Sequence, residues 1–167
     1  TIDYGPCAFM DLYNPNTVFS SIDKQGRYAY INQPYIGSWN LARFAETLLP
    51  LLDNDKEKSV ELANKALSQY EQTFNTQWVK NMALKIGITE VIDDDKKLIE
   101  ELLNIMEMKS LDFTNTFRML TLRNYTRLNL LQSKELINWI KKWEARLSLQ
   151  DINSKQSIKT MKLNNPN

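Results

Sequence analysis

Apolar residues recur at steps of three and four through most of this chain, and that spacing predicts helices. Trp39, Leu41, Ala42, Ala45, Leu48 and Leu49 open the pattern, with Ser38 as N-cap and Pro50 ending or kinking the helix near Leu49. Asp53-Asn54-Asp55 is a polar turn. A second helix is expected over 56–86, with Val60, Ala63, Leu67, Tyr70, Phe74, Trp78, Met82 and Ile86 on one buried stripe. At ~1.5 Å per residue it is a rod of roughly 45 Å. Gly87 supplies the stop, with Lys80 and Lys85 near the carbonyl end of the helix dipole.

Asp93-Asp94-Asp95 opens a third helix, whose core face is Leu98, Ile99, Leu102, Leu103, Ile105 and Met106. Asp112 caps a short helix through Phe113, Phe117 and Leu120. Ser133 caps another, with Leu136, Ile137, Ile140, Trp143 and Leu147 as its stripe. A last helix is expected over 154–163. Four tryptophans, Trp39, Trp78, Trp139 and Trp143, fall on these stripes, and core packing is the expectation for all of them.

The first 37 residues read differently. Residues 5–35 carry Gly5, Pro6, Pro15, Gly26 and Pro34 among many Asn, Asp and Ser, so a long irregular segment is expected. Gly26-Arg27-Tyr28-Ala29-Tyr30 alternates briefly, enough to pair as a short strand. Ahead of it, Thr1-Ile2-Asp3-Tyr4-Gly5-Pro6 is a strand stub that delivers a carboxylate into a turn. Asp3 caps that turn or holds a metal, as kinase-like folds do with an acid, an aromatic and a glycine at a strand end.

Composition narrows the chemistry. Lys and Arg number 21 against 20 Asp and Glu, a net charge of +1 that offers no electrostatic case for nucleic acid or an anionic membrane. No apolar run reaches the ~18 residues a membrane span needs. There is no histidine, which excludes a His-based triad or zinc site within these residues. Cys7 is the one cysteine, so no disulfide forms within the chain. A start at Thr1 and an end at Asn165-Pro166-Asn167 read as a piece of something longer.

An ordered set of motifs resembles the selenoprotein O family (YdiU-type). It comprises Asp3-Tyr4-Gly5-Pro6, Phe9-Met10-Asp11, Gly26-Arg27-Tyr28-Ala29-Tyr30, Gln33-Pro34 and Trp39-Asn40-Leu41-Ala42-Arg43. It continues through Trp78, Met82-Ala83-Leu84-Lys85-Ile86-Gly87, Asp112-Phe113-Thr114, Phe117-Arg118-Met119-Leu120 and Asn165-Pro166. The resemblance implies a pseudokinase fold that transfers AMP from ATP to Ser, Thr or Tyr hydroxyls of protein substrates. ATP lies flipped in that family, with its α-phosphorus exposed to attack. Asp3 matches the metal-binding acid, so Mg²⁺, or Mn²⁺ in its place, and ATP are the implied cofactors. The other catalytic parts, base included, match nothing in 1–167, so no catalytic residue is assigned here. The isolated chain is expected to be inactive and to hold metal weakly or not at all. Relatives with a regulatory disulfide keep a cysteine in the loop near positions 18–20; Val18-Phe19-Ser20 has none, so redox gating is not expected.

The remaining polar candidates read as structural. Asp11 and Asp23 are expected to be solvated turn acids, Arg118, Arg123 and Arg127 to pair with acids in preference to lying near the nucleotide, and Lys141, Lys142 and Arg146 to form a solvated helix face. The expectation is therefore mainly α: a strand stub and long loop, then about six helices in an irregular bundle, from the C-lobe side of a protein-kinase-like fold. Residues 1–37 would be the metal-acid turn and activation-loop-like segment, and 38–167 the helical region. The expected partners are ATP, protein substrates and the missing part of its own polypeptide, with no nucleic acid and no membrane. Asn- and Lys-rich usage suggests an AT-rich bacterial genome and a cytoplasmic setting. The rival readings are a non-catalytic helical interaction module and a pseudokinase that binds nucleotide without turnover.

Overall fold

The computed structural model describes residues 10–125 and 133–166. A 3₁₀ turn at Tyr30–Asn32 leads into α1 (Gln33–Leu52), followed by α2 (Lys56–Leu67), α3 (Tyr70–Lys85), α4 (Asp93–Met108), α5 (Phe113–Leu122), α6 (Lys134–Ser148) and α7 (Ser154–Asn164). The expected mainly helical class is observed. Among the described residues the only β pairing is one antiparallel bridge, Leu12 to Asp112. The strand stub expected at Thr1-Ile2 lies outside them. The chain divides into two units, one holding Pro15–Thr76 and the other Met10–Asn14 with Gln77–Asn167.

In the first unit the irregular segment closes on itself. The Asp23 carboxylate accepts the Arg27 and Tyr28 backbone N–H groups at 2.9 and 2.8 Å. Gly26 sits at φ +65°, and Ala29 N–H returns to its carbonyl. These local bonds consume the donors a strand would need, so the strand expected at 26–30 does not form. Asp23 is thus a turn acid, as the sequence suggests.

α1 begins at Gln33, five residues before the expected cap, because Pro34 is pre-set for a first helical turn. Ser38 is inside the helix. At the other end α1 runs past Pro50 to Leu52. The Leu49 carbonyl, orphaned in the last turn, accepts the Ser59 hydroxyl of α2. Ser59 and Ala63 are consequently the buried residues of α2, while Val60, expected on the stripe, is half-exposed.

The expected 45 Å rod is two helices. Ser68 turns its hydroxyl back to the Lys65 carbonyl at 2.9 Å, and Gln69 N–H bonds Ala66 O at 3.4 Å, a 3₁₀ pattern that ends α2. Past the break, the Tyr70 hydroxyl donates to Pro34 O at 3.1 Å, pinning the start of α3 to α1.

The second unit follows the sequence pattern closely. Leu98, Ile99, Leu102, Leu103, Ile105 and Met106 are all buried on α4. Asp112 caps α5 by accepting Asn115 N–H at 2.6 Å, and Asn153 caps α7 by accepting Gln156 N–H at 3.0 Å. α6 packs on α4 through Leu136, Trp139, Ile140 and Trp143, and the Trp139 indole donates to Leu98 O at 2.8 Å.

Ser133 caps α6 as expected, accepting Leu136 N–H at 3.3 Å while its own hydroxyl donates to Glu135 at 2.7 Å. That hydroxyl, the Glu135 backbone N–H and Lys109 at 3.4 Å together hold the Glu135 carboxyl down to about 2, against an ordinary 4.5. The carboxylate therefore stabilises the folded state fully above pH 4.5, and that contribution is lost as pH falls through about 2. Glu135→Gln should melt below wild type at pH 7, with the gap closing as both are titrated toward pH 2. A gap that stays constant across that range removes the ionised carboxylate from the account.

Candidate functional site

The polar centre of the second unit is the C-terminus of α3. Gly87 adopts φ +78° and closes a Schellman turn, its N–H bonding Leu84 O at 3.1 Å and Ile88 N–H bonding Ala83 O at 2.9 Å. Three successive carbonyls are then exposed to other elements. Lys85 O accepts the Asn165 amide at 2.7 Å, and Ile86 O accepts the Trp143 indole at 2.7 Å. Gly87 O accepts the Ser157 hydroxyl at 3.0 Å and the Gln150 amide at 3.1 Å. The Lys85 ammonium donates to Asn164 O at 2.9 Å and lies 5.4 Å from the Phe117 ring centre; burial pushes it below its ordinary value. Three of the motifs, at 82–87, 117–120 and 165–166, thus meet at one joint. The bonds to these three carbonyls hold α6, α7 and the 165 position against the end of α3.

Two further motifs also pair. Phe113 N–H bonds Asp11 O at 2.7 Å, Tyr13 N–H bonds Leu111 O at 2.8 Å, and the Tyr13 and Phe113 rings stack at 5.8 Å. The segment that follows Asp3-Tyr4-Gly5-Pro6 is therefore anchored at 11–13 to the α4–α5 corner. Asp11 acts there through its backbone.

In the first unit, Arg27, Asn32, Tyr35, Ile36 and Trp39 line a cavity of about 420 Å³. Trp39 is not core, contrary to expectation. It is 40% exposed, with the Arg27 guanidinium 4.6 Å and that of Arg43 5.6 Å from its ring centre. Trp78 is half-buried, and Trp139 and Trp143 are buried as expected.

The basic residues divide. Arg123 pairs with Glu144 at 3.4 Å and covers the Trp143 ring at 4.2 Å, a structural role as expected. Arg118 is half-buried, and its Nε has no partner among the described residues, against the pairing expected. Arg127 lies outside them. Lys141 is exposed, and Lys142 reaches Glu101 at 2.8 Å. Arg146 is not on a solvated face: it is largely buried and bonds Asp95 through two nitrogens, at 2.7 and 2.9 Å. It also donates to Glu90 O at 2.6 Å. Asp95, 1% exposed, accepts Ile92 N–H at 2.8 Å as well. This pair was illegible in the sequence. The one signal was Asp95's place at the third position of an acid-led helix, where a carboxylate caps.

Among the described residues no three Asp, Glu, Cys or His side chains converge to hold a metal ion. They supply no complete metal centre of their own. Asp3, the acid assigned to that task from sequence, lies outside them, as does Cys7. No helix of the described residues is long and apolar enough to cross a membrane.

The family model for "Protein adenylyltransferase SelO" matches residues 1–167. The chain belongs to the SelO family. Among curated relatives, a protein nucleotidyltransferase YdiU of Clostridium botulinum is 55% identical over 166 residues. The proteins of the same name from Geobacillus kaustophilus and Anoxybacillus flavithermus are each 51% identical. Each match covers 99% of this chain and 34% of the relative. The chain therefore spans about a third of the length of these SelO-family relatives, and the conjunction of motifs at the α3 joint is a feature of this portion.

Proposed function

We propose that this chain is the C-terminal portion of a protein adenylyltransferase that moves AMP from ATP to hydroxyl groups of protein substrates. What carries the reading is the family match over all 167 residues, which takes in Asp3-Tyr4-Gly5-Pro6. In the reaction, a Ser, Thr or Tyr oxygen bonds to the α-phosphorus, the bond to pyrophosphate breaks, and the hydroxyl proton passes to a base outside this chain. Asp3 is the residue of this chain assigned to hold a divalent cation, Mg²⁺ or Mn²⁺, against the ATP phosphates. Such a cation neutralises charge on the leaving pyrophosphate. The remaining ligands and the phosphate clamp belong to the rest of the polypeptide, and a protein-kinase-like C-lobe is the fold assigned to the whole. Residues 1–37 are its metal-acid and activation-loop-like part, and 38–167 its helical part.

In that setting the described residues have a supporting role. The 11–13 segment is anchored to the α4–α5 corner, and the α3 joint holds the helices of the second unit together. The test is full-length protein incubated with α-labelled ATP, as wild type and as Asp3→Ala. Label transfer to protein should fall to background in the variant while its melting temperature holds. Equal transfer by both forms would sink the metal role. No transfer by the wild type would favour a non-catalytic helical module.

A further inference from the structure

We infer that α1 is an interior helix of the full-length protein, its apolar stripe covered by the part of the same polypeptide that lies outside residues 1–167. In twenty residues α1 carries two charges, Arg43 and Glu46, and these pair with each other. Leu41, Phe44, Leu48 and Leu51 follow at steps of three and four along one face. Phe44 is 59% exposed and Leu51 80%, with Leu41 and Leu52 also open to solvent. Ile36 is the one fully buried residue of the helix. A helix so poor in charge on every side is built for burial. Left open, such a stripe is an association hazard.

The relatives matched here are about three times as long as this chain, of which they cover 99%. The polypeptide they have in addition is always present, at a fixed effective concentration, and needs no encounter. A transient substrate or a second copy would leave the stripe bare for part of the protein's life.

Phe44→p-benzoylphenylalanine, introduced in the full-length protein and irradiated, tests this independently of any AMP transfer. The expected product migrates at monomer size, and peptide mapping joins position 44 to a residue outside 1–167. The same replacement at Leu51 gives a second position should the first disturb packing. Dimer-sized product would assign the stripe to a second copy. Links only to Gln77–Asn167, or no link from either position, would equally overturn the inference.

Discussion

Asp95→Ala should cost about 3–5 kcal/mol, because it leaves the Arg146 guanidinium buried without a counter-charge. The carboxylate is 1% exposed and serves three donors: Arg146 Nε at 2.7 Å, Arg146 Nη2 at 2.9 Å and Ile92 N–H at 2.8 Å. Removing it strips a cap from α4 and a charge partner from α6 together. Arg146→Met should be similarly harmful, since it strands the carboxylate and frees Glu90 O. The double variant Asp95→Ala/Arg146→Met buries no lone charge. It should therefore lie closer to wild type than the sum of the two losses by at least ~1–2 kcal/mol. Urea unfolding of the three variants measures this. Losses that simply add would show that the two groups act independently, and the pair would then be no more than two separate caps.

Gly87→Ala is the second large loss, for a different reason. At φ +78° a Cβ meets the strain of the left-handed region. It would also collide with Ser157 Oγ and come within 3.1 Å of the Met161 Cγ and Sδ atoms, both residues being buried. Left-handed strain and overpacking together come to roughly 2–5 kcal/mol. Ser157→Ala in the same background should recover the Ser157 part of the clash and leave the Met161 contacts and the strain. It also gives up the hydroxyl bond to Gly87 O, about 1 kcal/mol. A Gly87→Ala midpoint in urea within error of wild type would mean that the α3 joint gives way easily and does not organise the helices around it.

The candidate site was unevenly legible. The ordered motifs were readable, and so were the caps at Asp112 and Ser133, because a capping side chain bonds backbone two or three residues away and leaves a local trace. What the motifs are for was not readable. Gly87 reads as a helix stop, yet its carbonyl and its missing Cβ are also the seat of α7. Asn165 reads as a tail residue, yet it is buried and bonds Lys85 O and the Thr121 hydroxyl. Arg146 reads as a surface cation because its helix has Lys141 and Lys142 beside it, and only α4 shows what it faces. Ser68 leaves no mark in a stripe that continues in step on both sides of it, since periodicity registers side-chain spacing and not where a hydroxyl captures a carbonyl.

The sequence by itself determined the helices of the second unit, the faces of α4 and α6, the stop at Gly87 and the caps at Asp112 and Ser133. These depend on the 3.6-residue period and on bonds within a turn. Tertiary structure alone decided which acid meets Arg146, and which side chains close the three carbonyls at the end of α3. It also decided that Trp39 lies open under two guanidinium groups. The first two outcomes rest on contacts such as Lys85 to Asn165 and Asp95 to Arg146, between residues far apart in the chain. No local pattern encodes them, because the bond energy becomes available only once the helices have packed.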